Sequence, residues 1–152
     1  MGFFDKIKSA ASAVTGGGAT VTVQVPQVVR GQSADVAVQA TAKKDLEISG
    51  VYLEIRCREE ADVRDTDFDE KGGIDREIVR GRKTTWSTKV DIAGGQKLQE
   101  GEATSWEGTF TVPPSSAPSL RGQMVRVKWE VRAGLDAWGN DPDSGWREVE
   151  VH

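Results

Sequence analysis

Leu98–Trp138 reads LQEGEATSWEGTFTVPPSSAPSLRGQMVRVKWEVRAGLDAW. Its first part alternates as far as Val112 and stops at Pro113-Pro114, where a hydrogen-bonded ladder cannot continue. A Pro/Ser-rich loop follows, and Gly122 opens a longer run. There Val125, Val127, Trp129, Val131, Ala133 and Leu135 alternate with Arg126, Lys128, Glu130 and Arg132. A period of two with one apolar and one charged face describes a strand with one side in a core and one in water. The stretch therefore predicts two strands joined by a proline loop.

The same period recurs along the chain. Val21, Val23 and Val25 share one face of a first strand, and Val36, Val38 and Ala40 one face of a second. Pro26 and the turn Arg30-Gly31-Gln32 separate them. Leu46 to Arg58 forms a longer strand whose phase changes at Gly50, as a β-bulge would require. Ile78 to Ile92 alternates again, with Thr84, Trp86, Thr88, Val90 and Ile92 on one face. A last strand spans Trp146 to Val151. Seven to eight strands with turn signals between them predict an all-β, antiparallel, immunoglobulin-like sandwich. At 152 residues one such domain buries roughly 70% of its unfolded surface and needs no disulfide or metal to fold.

The only helical spacing falls in residues 3–14, where Phe3, Ile7, Ala10, Ala11 and Val14 form a stripe. Gly16-Gly17-Gly18 then act as a joint, so the expected division is a helix and joint over 1–18 and a sandwich over 19–152. Two roles are open for the helix. It docks on the sandwich or is simply frayed, or Phe3, Phe4, Lys6 and Ile7 contact a partner groove or a membrane surface.

Resemblance adds to this reading. Val51-Tyr52-Leu53-Glu54-Ile55, Leu98-Gln99-Glu100-Gly101-Glu102 and Phe110-Thr111-Val112-Pro113 follow one another in the order typical of arrestin-like domains. Ala117-Pro118-Ser119-Leu120-Arg121-Gly122 and Val131-Arg132-Ala133-Gly134-Leu135-Asp136 complete that order. Over residues 19–151 the chain thus resembles the arrestin-like β-sandwich family. With Phe3-Phe4-Asp5-Lys6-Ile7 ahead of the first strand, it is most similar to the bacterial sporulation-control group. Those proteins carry two sandwiches in tandem. This chain has length for one, so a homodimer is one way to supply the second.

Charge and chemistry narrow the function. Nine Asp/Glu against three Arg/Lys lie between Glu59 and Glu77, a net of −6, while the whole chain carries −4. The acidity belongs to one segment, which shows no period and reads as a loop beside the basic strand of Arg80, Arg82, Lys83 and Lys89. No basic footprint for nucleic acid is present. No apolar run is long enough for a membrane span, and the N-terminus is not a secretory signal, so the expected compartment is the cytoplasm. His152 is the only histidine and Cys57 the only cysteine. Ser-His-Asp, Cys-His and His-zinc chemistry are therefore not expected, and Cys57 reads as a core residue.

Asp65-Thr66-Asp67-Phe68-Asp69 spaces Asp65, Asp67 and Asp69 as a calcium loop does, but Glu70 and Arg76 stand where such a loop needs Gly and Glu. A cation site there competes with a solvated loop. Trp138 and Trp146 flank Asn140-Asp141-Pro142-Asp143. They either staple that turn or offer an aromatic contact for a partner. The expected function is a non-catalytic, cytoplasmic adaptor that binds a protein through a sheet edge, end loops and the N-terminal helix. The alternatives are a small-ligand or cation-binding module and a homo-oligomeric structural protein.

Overall fold

In a computed structural model the backbone is described from Val14 to His152, and side chains from Gly17 onward. The helix expected over 3–14, with Phe3, Phe4, Lys6 and Ile7, lies outside the described residues up to Val14, which is already strand. The strands in chain order are β1 (Val14–Gly16), β2 (Ala19–Gln24), β3 (Ser33–Ala42), β4 (Leu46–Phe68) and β5 (Ile74–Leu98). They continue with β6 (Ala103–Thr111), β7 (Leu120–Arg121), β8 (Val125–Ala137) and β9 (Arg147–Val149). This exceeds the expected seven or eight because β1 and β7 are too short to leave a periodic signal. Where a joint was expected, Gly16 pairs with Ala19 and Gly17-Gly18 form the hairpin turn between β1 and β2, with Gly17 at φ 57°.

The strands form two antiparallel sheets. One has the order β1-β2-β3-β6, and the other β5-β4-β8-β7 with β9 also on β8. The alternating residues of the quoted stretch supply much of the core between them. Trp129, Val131, Ala133 and Leu135 of β8, with Leu53, Ile55 and Cys57 of β4, share one buried core with Val21, Val23, Val36, Val38, Phe110 and Val112 from the four-stranded sheet and its end. Trp129 Nε1 donates to the Ala117 carbonyl at 2.9 Å, which fixes the proline loop to β8. The register of β4 shifts against β8 between Ile48 and Gly50, and against β5 between Val51 and Tyr52, beside the expected bulge.

The acidic segment is not a loop. β4 and β5 stay paired from Leu46↔Leu98 to Phe68↔Ile74, while β8 accompanies β4 only to Ala61↔Val125. Beyond that root the hairpin projects as a two-stranded arm. Sequence periodicity reports a difference between a dry face and a wet one. Both faces of the arm are wet, so the segment has no period although its backbone is regular.

Candidate functional site

Strand alternation assigns every arm residue to one of two faces. The outer face continues the exposed side of the five-stranded sheet. It carries the cross-strand pairs Glu60↔Arg82, Asp62↔Arg80, Arg64↔Ile78, Thr66↔Arg76 and Phe68↔Ile74. The inner face continues the side that packs in the sandwich. It carries Val63↔Val79, Asp65↔Glu77 and Asp67↔Asp75. The basic strand therefore offsets the acidic segment near the root, where Asp62 and Arg80 are 3.8 Å apart. Toward the tip the inner face sets carboxylate against carboxylate, which destabilises a strand pair.

Apart from Trp138, the exposed large apolar side chains among the described residues lie on the arm or beside its root. They are Val63, Phe68, Ile74, Ile78 and Val79 on the arm, and Leu120, Met124 and Val125 beside it. Phe68 at the tip is 75% exposed, an orientation that water does not favour. On the outer face Asp62, Arg64, Ile78 and Arg80 meet Gln123 and Met124 across a groove of about 590 Å³. Asp62 N–H donates to the Met124 carbonyl at 2.8 Å and holds this groove's floor to the sandwich.

The tip turn is closed by Asp69. Its Oδ1 accepts from the Lys71 N–H at 2.9 Å and also from the Gly73 N–H. Asp65 and Asp67 share the inner face, so the calcium-like triplet does not converge. Among the described residues no set of three or more His, Cys, Asp or Glu is arranged to hold a metal ion.

The other end of the sandwich separates the two expected tryptophans. Trp138 is 100% exposed at the end of β8. Trp146 is half-buried, with the Arg56 guanidinium 3.8 Å and the Arg132 guanidinium 4.7 Å from its ring centre. Both arginines are also paired: Arg56 Nε with Glu130 Oε2 at 2.8 Å and Arg132 Nε with Glu54 Oε2 at 2.8 Å. Burial raises the Glu130 carboxyl, but hydrogen bonds from Lys128 and Arg56 outweigh it and hold the group below the ordinary glutamate range. Lys128, Arg126 and Arg121 extend this network to Glu148. Its charges are largely committed to one another, which gives it a structural role.

Tyr52 anchors the turn after β8. Its hydroxyl donates to Asp141 Oδ2 at 3.2 Å, and Asp141 Oδ1 accepts from the Ala137 N–H at 3.0 Å. Lys89 Nζ lies 3.9 Å from the Tyr52 ring centre. Burial, then the Asp141 carboxylate, pushes the Tyr52 pKa up to about 12. Because the folded value lies above the unfolded one, this contribution is complete below pH ~10 and disappears as pH rises toward 12. The expected loss over that window is about 2–3 kcal/mol. Tyr52 is the only tyrosine, so an ultraviolet phenolate titration reads it alone. The midpoint should fall near 12 in the folded chain and near 10 in denaturant. Coincident midpoints would show the hydroxyl to be free.

The outer-face groove, the arm's division into faces and the apolar root were not foreseen from the sequence. The signal was present in Phe68, Ile74, Ile78 and Val79, but only the pairing register shows which residues share a face.

No family model matches the sequence, and no curated protein sequence matches it. Among solved structures the chain is similar to Spo0M, the sporulation control protein of Bacillus subtilis, with a TM-score of 0.61 and 21% identity. The match covers 90% of this chain and 50% of that one, so the chain spans half the length of the protein that it matches. The likeness shows the fold: an antiparallel, arrestin-like β-sandwich, carrying here the long β4–β5 arm.

Proposed function

We propose that this chain is a non-catalytic adaptor whose sandwich is the support and whose β4–β5 arm is the element that captures a protein partner. The observation that carries the reading is the concentration of exposed apolar side chains on the arm and its root. Exposed apolar side chains among charged ones, here on both faces of the arm, are the usual composition of a protein-binding surface. Among the described residues no strand pairs with the outer edge of β5, which suits strand addition by a partner. The sequence supports the absence of catalysis, since its one histidine is His152 and its one cysteine, Cys57, is buried. The cytoplasm is the compartment proposed for this function. No helix among the described residues is long and apolar enough to cross a membrane.

The test removes the arm without touching the core. Residues 63–79 are replaced by Asn-Gly, a two-residue hairpin turn, joining the register partners Asp62 and Arg80. Affinity capture from the source organism's extract is then compared with the full chain. The trimmed chain should keep its thermal midpoint within a few degrees and lose the partners that the full chain retains. Equal capture by both chains would move recognition to Trp138, to the remaining sheet edge or to Phe3, Phe4, Lys6 and Ile7.

A further inference from the structure

We propose that the arm binds the arm of a second copy of this chain, the inner face of one lying on the outer face of the other. The inference rests on the arm being the recognition element and names its occupant.

Two features of the arm need a partner. A lone two-stranded ribbon is marginally stable in water. This one also places Asp65 opposite Glu77 and Asp67 opposite Asp75, with no cation on that face short of Lys83 at the root. Above those acids the inner face is apolar. Val63, Val79, Val125 and Leu120 stand where the five-stranded sheet outruns the sheet that covers it. The occupant must therefore bring cations for the tip and apolar groups for the root.

The outer face of the same arm has that composition. It presents Arg64, Arg76 and Arg80 together with Ile78, Phe68 and Ile74. Of these arginines only Arg80 has an ion pair among the described residues, a loose one to Asp62. Overlap must be antiparallel, because a parallel arm would drive the incoming sandwich into the four-stranded sheet. Sheets stack about 10 Å apart, and the free arm extends roughly 20 Å. Tip-to-root overlap of that length sets Asp65, Asp67, Asp75 and Glu77 over the second copy's Arg64, Arg76 and Arg80. It also lays Val63 and Val79 over the second copy's Phe68 and Ile74. A contact of unlike faces leaves one face of each kind free at either end, so assembly grows without a fixed stop. An anionic lipid surface fits less well, because Asp67, Asp69, Glu70 and Asp75 surround the apolar tip.

Sedimentation velocity of the full chain tests this over a concentration series, at low ionic strength and at ~1 M salt, where the Debye length is about 3 Å. At low salt the average mass should climb with concentration, and at high salt it should return to the monomer. The variants Arg64→Glu/Arg76→Glu/Arg80→Glu and Asp65→Lys/Asp67→Lys/Asp75→Lys should each stay monomeric alone. Mixed in equal amounts they should associate again, since an acidic face then meets a basic one. A wild-type chain that is monomeric throughout, a mixture that stays monomeric, or reversed variants that associate as wild type would each overturn the proposal. Should charge reversal unfold the arm by circular dichroism, Arg64→Gln/Arg80→Gln must still lower association, and no drop overturns it. Arginine-dependent sedimentation of a monomeric chain with phosphatidylserine vesicles would replace the second copy by a lipid and also overturn it. A monomeric chain whose partner capture still depends on the arm sinks self-association alone. Capture independent of the arm sinks the adaptor reading as well.

Discussion

Trp129→Ala should cost about 3–5 kcal/mol, the range for emptying a large aromatic site in a packed core. Trp129 is fully buried, pairs with Cys57 and Val149 in the sheet, and lies 5.5 Å from Trp86 between ring centres. Its indole N–H also holds the Ala117 carbonyl, so the substitution frees the proline loop and leaves that carbonyl to find water. A milder change separates the two contributions. Trp129→Phe keeps most of the ring but loses the donor, and should cost about 1–3 kcal/mol. Urea denaturation followed by circular dichroism checks both. A loss below about 1 kcal/mol for the alanine variant would mean that the two sheets close without this side chain.

The second large effect is expected at Gly134, five residues along the same strand. A Cβ built there would stand 2.3 Å from the Tyr52 ring carbon that bears the hydroxyl. Tyr52 cannot retreat without leaving Asp141, and Asp141 in turn holds the Ala137 N–H. Gly134→Ala should therefore destabilise by about 1–3 kcal/mol through overpacking. In a Tyr52→Ala background the ring is gone, and the same substitution should be neutral or slightly stabilising, since glycine weakens a strand interior. The expected coupling of the two positions is large compared with the few tenths of a kcal/mol between independent sites. Additive effects in a double-mutant cycle would show that the glycine serves something other than the tyrosine's approach.

These two positions show what was legible. Trp129 was readable because one of its strand's faces is apolar and the other charged, and that difference is written in the sequence as a period of two. The sandwich followed from repeating that observation, and the phase change at Gly50 located the bulge. Gly134 and Tyr52 were both visible within the motif, but their contact joins residues far apart in the chain. The same holds for Arg56 with Glu130 and Arg132 with Glu54. Their charges read as an ordinary wet face, and only the register turns that face into a network that covers Trp146.

The arm was missed for a different reason. Period-based reading detects burial, and the arm has none on either side. It holds seven of the acidic segment's nine acids, which looked like a solvated loop, with Asp65, Asp67 and Asp69 in a calcium-like spacing. Pairing redistributes them. Asp65 and Asp67 join Glu77 and Asp75 on one face, and Asp69 turns into the tip. The candidate site thus moved from single residues to the two faces of a ribbon.

The central claim is that recognition lies on the arm and folding in the sandwich. Amide hydrogen exchange of the full chain, free and in its captured complex, tests it most directly. The account predicts that protection gained on binding concentrates in residues 62–80 and the adjoining 120–125 segment, with β2, β3 and β6 unchanged. Protection gained instead around Trp138 and residues 139–146, with the arm exchanging as fast as in the free chain, would contradict it.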